Sequence, residues 1–127
     1  MQPDRFFHVA VKTDDLDASV DFYRDALGGT IVAESGPDDD VTYAALEVAD
    51  KRVYCFDRAP YEAAGLVDEL PTGFLHFGFV VPDAEEAFAE LEAIGTEPLM
   101  EPSVFDDLKI AFVRAPSGVR VEVLEEL

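Results

Sequence analysis

Phe6-Phe7-His8-Val9-Ala10-Val11 and Phe74-Leu75-His76-Phe77-Gly78-Phe79-Val80 are strand-like apolar runs that carry the only two histidines among 127 residues, each at the same place in its run. The residues after each run also correspond. After the first, Thr13-Asp14-Asp15 offers helix-capping side chains, Leu16, Val20, Tyr23 and Leu27 recur at helical spacing, and Gly28-Gly29 ends the helix. After the second, Asp83 and Glu86 form a capping-box-like start, Ala84, Ala87, Phe88, Leu91 and Ile94 make the apolar face, and Gly95 closes it. The chain reads as a duplication with a histidine in register.

Outward from these runs, residues 30–34, 41–48 and 52–57 read as strands around an acidic turn at 35–40 and the polar pair Asp50-Lys51. The stretch 60–70 resembles a linker, with a short helix at Tyr61-Glu62-Ala63-Ala64. In the second half, prolines at 98 and 102 and the pair Asp106-Asp107 break the strands, while 108–114 and 119–124 flank the turn Ala115-Pro116-Ser117-Gly118. The expected fold is α+β: one domain over 1–127, built from tandem βαβββ modules at about 5–60 and 72–127.

Composition narrows the partners. The formal charge is -19, from 28 acidic residues against 9 basic ones. Such a surface repels nucleic acid and anionic lipid, which proteins bind largely through Lys and Arg. Neither is expected as a partner; a small molecule is. Self-repulsion of this size destabilises a fold in dilute buffer and is screened in concentrated salt, so the charge points to a halophilic setting. Cys55 is the single cysteine, which excludes an intramolecular disulfide. Met1-Gln2-Pro3-Asp4-Arg5 lacks the layout of a signal peptide and no apolar run approaches a membrane span, so a cytoplasmic location is expected.

Strand parity brings a third residue beside the histidines. On the first strand His8 shares a face with Phe6 and Ala10, and on the second His76 shares one with Phe74 and Gly78. On the last strand Glu122 points with Arg120 and Leu124, away from the apolar Val119, Val121 and Val123. In all three, the greasy side suits a covering helix and the polar residue lies opposite. Two neutral imidazoles and one carboxylate form a set that holds Fe, Mn, Ni, Co or Zn while leaving positions for substrate oxygens.

The phrase Phe22-Tyr23-Arg24-Asp25-Ala26-Leu27-Gly28-Gly29, the paired βαβββ modules and Pro116-Ser117-Gly118 ahead of Val121-Glu122-Val123 resemble the vicinal oxygen chelate superfamily. That superfamily includes glyoxalase I, methylmalonyl-CoA epimerase, extradiol dioxygenases, fosfomycin-resistance enzymes and metal-free bleomycin-resistance proteins. The resemblance implies curled mixed sheets with a concave metal-binding face, a divalent metal ion on His8, His76 and Glu122, and Glu122 as a catalytic group. It implies glyoxalase-like lyase or isomerase chemistry, with extradiol-type dioxygenation or metal-free small-molecule binding as the alternatives.

In glyoxalase I and the epimerase the strand ending the first module supplies a fourth ligand, and the matching place here falls at Cys55, with Asp57 as a substitute. Tyr43, Tyr54 and Tyr61 are candidate hydrogen-bonding groups, and Glu47 a candidate base. An anionic substrate would rely on Lys109, Arg114, Arg120, Arg52 or Arg58. Relatives of this length commonly form homodimers, so the site belongs to one chain or is shared between two.

Overall fold

Alternating and continuous apolar runs set the strands, and glycine and aspartate set their ends. The computed structural model describes residues 1–127. In chain order they form β1 (Arg5–Lys12), α1 (Leu16–Asp21), β2 (Thr30–Glu34), β3 (Tyr43–Val48), β4 (Lys51–Phe56), α2 (Pro60–Ala63), β5 (Gly73–Val80), α3 (Ala84–Ala93), β6 (Glu97–Phe105), β7 (Leu108–Arg114) and β8 (Arg120–Glu126). The fold is mixed α+β with an eight-stranded mixed sheet, as the sequence predicts. Strands run β2-β3-β4-β1 in the first half and β5-β8-β7-β6 in the second. In each half the pair that includes the histidine strand, β1 with β4 and β5 with β8, is parallel and the others antiparallel.

Two compact units divide the chain: His8–Leu75, here the N-terminal unit, and Met1–Phe7 with His76–Leu127, the C-terminal unit. In the C-terminal unit, α3 lays Ala84, Ala87 and Phe88 against Val81, Ala111, Val113 and Val123, and Leu91 and Val121 pack at the margin. These sheet residues alternate with His76, Glu122 and Phe112, so the helix covers one face and leaves the other to the polar pair. In the N-terminal unit, buried Ala44, Leu46 and Cys55 take the corresponding apolar face.

The duplication is metric. His76 follows His8 by 68 residues, and so does Asp83 follow Asp15. Both aspartates cap a helix, Asp15 accepting from the Ala18 N–H and Asp83 from the Glu86 N–H, each at 3.0 Å. The helices then differ. Gly28 (φ 70°) stands 13 residues after Asp15, whereas Gly95 (φ 90°) stands 12 after Asp83. The extra residue is absorbed by a π-helical turn at Phe22–Ala26, the usual way a helix takes up a single insertion. That widened turn breaks the expected apolar stripe: Leu27 is half exposed, and α1 buries no residue completely.

A second departure lies in β6. Pro98 and Pro102 predict a broken strand, yet β6 runs from Glu97 to Phe105 through both. It is the outermost strand, where a missing N–H can face away from the ladder, and its pairing with β7 shifts register around Met100. The linker-like stretch is also firmly held. Glu62 accepts from the Ala59 and Leu70 N–H groups and pairs with Lys12 Nζ at 2.7 Å, while the Tyr61 hydroxyl donates to the Leu75 carbonyl at 3.2 Å.

Candidate metal centre

The buried polar and charged residues of this chain are three: His8, His76 and Glu122, at 3%, 1% and 5% exposure. Burial of an imidazole or a carboxylate is unfavourable unless each finds a partner, which makes the coincidence with the predicted ligand set informative.

In the C-terminal unit, β5 and β8 run parallel with Gly78 opposite Glu122 and Phe77 opposite Val121. This register, with strand alternation, turns His76 and Glu122 to the face that α3 does not cover. His76 Nε2 lies 3.1 Å from Glu122 Oε1. The ring of Phe112, which pairs with Glu122 across β7, meets His76 edge-on with centroids 4.8 Å apart. The pair is thus held in an apolar setting, where a buried carboxylate beside an imidazole nitrogen requires a proton or a cation to balance it.

In the N-terminal unit, β1 and β4 repeat that plan. His8 pairs with Arg52 and Ala10 with Tyr54. The separation is 44 residues, the same as between Gly78 and Glu122. The Tyr54 ring stands edge-on to His8 with centroids 5.0 Å apart and stacks on Tyr43 and Phe56, each at 5.8 Å. Arg52 Nη1 donates to the Tyr54 hydroxyl at 3.1 Å. Arg52 and Arg120 are also counterparts, 68 residues apart.

These registers correct the assignment of the fourth position. Cys55 pairs with Val11 and Ala44, so its side chain points to the helix face, opposite to His8. It is fully buried, and burial pushes its thiol up to about 11. Asp57 lies beyond the end of β4 and its carboxylate accepts from the Thr42 N–H at 3.0 Å. The residue at the place of Glu122 is Tyr54. The sequence held the means to find it: the 46 residues from His76 to Glu122, counted from His8, end at Tyr54.

The other candidates differ in where they lie. Tyr43 is buried on the His8 face of the N-terminal unit, whereas Tyr61 is wholly buried and bonded to the backbone. Glu47 shares the face of Arg52, with which it pairs, but is exposed. Arg114 pairs with Arg120 on the Glu122 face of the C-terminal unit and lies 3.7 Å from Glu97. Lys109 reaches Glu85 and Arg58 donates to the Asp40 carbonyl.

Comparison with known proteins agrees with this plan. The chain is 27% identical over 124 residues to a probable chloroplastic lactoylglutathione lyase of Arabidopsis thaliana, covering 95% of this chain and 35% of that protein. It therefore spans well under half the length of that plant relative. It is also 27% identical over 125 residues to a lactoylglutathione lyase of Escherichia coli O157:H7, covering 96% of this chain and 93% of that one. Among solved structures, methylmalonyl-CoA epimerase from Mycobacterium tuberculosis shares the fold with a TM-score of 0.79 at 23% identity, over 98% of this chain and 89% of that one. With the family pattern matched over residues 5–123, the chain belongs to the Glyoxalase/Bleomycin resistance protein/Dioxygenase superfamily.

Proposed function

We propose that this protein is a divalent-metal-dependent enzyme acting on a small metabolite with two neighbouring oxygens, in the manner of a glyoxalase-like lyase or isomerase. His8, His76 and Glu122 would hold the ion. The observation that carries this reading is the identity of the buried polar residues: they are a histidine, a histidine and a glutamate, a set of the kind that binds a metal ion. The names of the relatives, lyases and an epimerase, support isomerisation chemistry over ring cleavage.

When bound, such an ion supplies Lewis acidity to a substrate oxygen. The chain's own residues do the rest. The imidazoles would bind through neutral nitrogen, which keeps them as donors without adding charge. Glu122, beside His76 Nε2, carries the only charge of the set, and its carboxylate oxygens are where a proton leaving the substrate would be held. Phe112 sets an apolar ring edge-on against His76 beside that pair.

Elemental analysis of protein purified without chelators, followed by assay with hemithioacetals and catechols before and after chelation, tests the proposal. Retention of about one Fe, Mn, Ni, Co or Zn per chain, with turnover of a hemithioacetal lost on chelation and restored by metal, is the expected result. Catechol cleavage would move the reaction to the dioxygenase class. Failure to take up any of the five metals would end the metal reading and leave a metal-free binding protein. The homodimer and the salt adaptation belong to the same proposal. Light scattering in molar salt reads the first, and a thermal midpoint that rises with salt concentration reads the second.

A further inference from the structure

We infer that Tyr54 sets the charge of the metal centre: it holds, in the first half, the place that Glu122 holds in the second, and as a phenol tied to Arg52 it withholds a second carboxylate from the ion. This rests on the metal reading above.

The placement comes from strand register. Ala10 and Tyr54 are partners across β1 and β4, as Gly78 and Glu122 are across β5 and β8, and each pair lies two residues beyond its unit's histidine on the first strand. Tyr54 turns its ring to His8 and packs against both Tyr43 and Phe56, so its direction is fixed. Its oxygen receives the Arg52 guanidinium at 3.1 Å. A cation already at that oxygen opposes a second one, which makes the phenol a poor metal donor.

The consequence is electrostatic. A divalent ion on two neutral imidazoles and one carboxylate keeps one positive charge, and a carboxylate at position 54 would cancel it. The site therefore favours substrates whose two oxygens carry negative charge when bound or as a proton leaves, such as 2-oxoacids, catecholates or the enediolate of a hemithioacetal.

Zinc titration of the full-length protein, in competition with a chromophoric chelator, tests this without relying on turnover. Tyr54→Phe should bind zinc within about threefold of the parent, whereas Tyr54→Glu should bind about tenfold or more tightly. Tyr54→Gln, which supplies a neutral oxygen, should tighten binding less and serves if Tyr54→Glu fails to fold. Cys55→Ser should leave affinity unchanged. Oxalate, added to the zinc forms, should bind the parent about tenfold more tightly than Tyr54→Glu.

Weaker zinc binding by Tyr54→Phe would make the phenol a ligand and overturn the inference. So would zinc binding by Tyr54→Glu and Tyr54→Gln no tighter than the parent's, loss of affinity in Cys55→Ser, or oxalate binding unchanged by Tyr54→Glu. Failure of the metal reading looks different, since the parent would then bind no zinc. In that event, uptake by Tyr54→Glu or Tyr54→Gln alone would uphold the register argument, and its absence would overturn both.

Discussion

The two halves of this chain share a plan but not a task. Each starts with a histidine-bearing strand, continues with an aspartate-capped helix and returns a strand parallel to the first with the same 44-residue offset. On the strand face opposite the helix, the C-terminal unit has a carboxylate 3.1 Å from its histidine, and the N-terminal unit has a phenol edge-on to its own. Beneath the sheets the contrast continues, since α3 buries three residues and α1 none. A duplicated backbone thus constrains where side chains can point, while each copy remains free in what it places there.

The sharpest way to break this contrast is to alter the oxygen of each member of the pair. Glu122→Gln keeps size and burial but removes the charge, and should lower metal affinity by about a hundredfold or more. Tyr54→Phe should change it by less than about threefold if the halves have diverged as described. Isothermal titration with zinc measures both. Comparable losses would mean that both halves contribute a ligand and that the asymmetry is only chemical spelling.

Much of the plan is legible in the chain because strand parity and helix caps are local. The faces of His8, His76 and Glu122 follow from alternation, and Asp15, Asp83, Gly28 and Gly95 mark helix ends by residue chemistry. The features that a motif-by-motif reading passes over need the two halves, or neighbouring strands, to be set against each other. Cys55 has the chemistry of a potential thiolate ligand, but its register against Val11 puts it on the helix side. The π-helical turn cannot be read from the stripe Leu16, Val20, Tyr23 and Leu27, because an insertion within a helix leaves no break in composition. The prolines of β6 have the character of strand breakers, and only the sheet order, which places them on an edge, makes them compatible with a strand.

Packing offers the next largest difference. Phe88, buried on the sheet-facing side of α3, has Val20 of α1 as its counterpart 68 residues earlier, and Val20 is only partly covered. Phe88→Ala should destabilise the fold by about 3–5 kcal/mol and Val20→Ala by about 1 kcal/mol, read from urea unfolding. Equal losses would show that the first helix relies on contacts as dense as the second.

The connector tests an asymmetry of another kind. Burial pushes the Glu62 carboxyl up, but the Ala59 and Leu70 N–H groups and the Lys12 ammonium outweigh it, so it titrates below the ordinary carboxylate range. A carboxyl depressed on folding contributes stability that is fully present above its unfolded pKa and is lost as pH falls through the folded one. Glu62→Gln should therefore cost about 2 kcal/mol at neutral pH, and the gap to the parent should close in acid. A gap that persists unchanged at the acid end would assign the effect to packing rather than charge.

The smallest effect is the one in which the halves should agree. Asp15 and Asp83 each accept one N–H bond at 3.0 Å from the third residue along, and both stand on exposed helix starts. Asp15→Ala and Asp83→Ala should each cost about 1 kcal/mol. Because the caps belong to different units, the double variant should lose about the sum, within about 0.5 kcal/mol, if unfolding is all-or-none. A double variant that unfolds in two steps, or loses no more than one single variant, would show that the units melt separately. The duplication would then be a property of folding as well as of geometry.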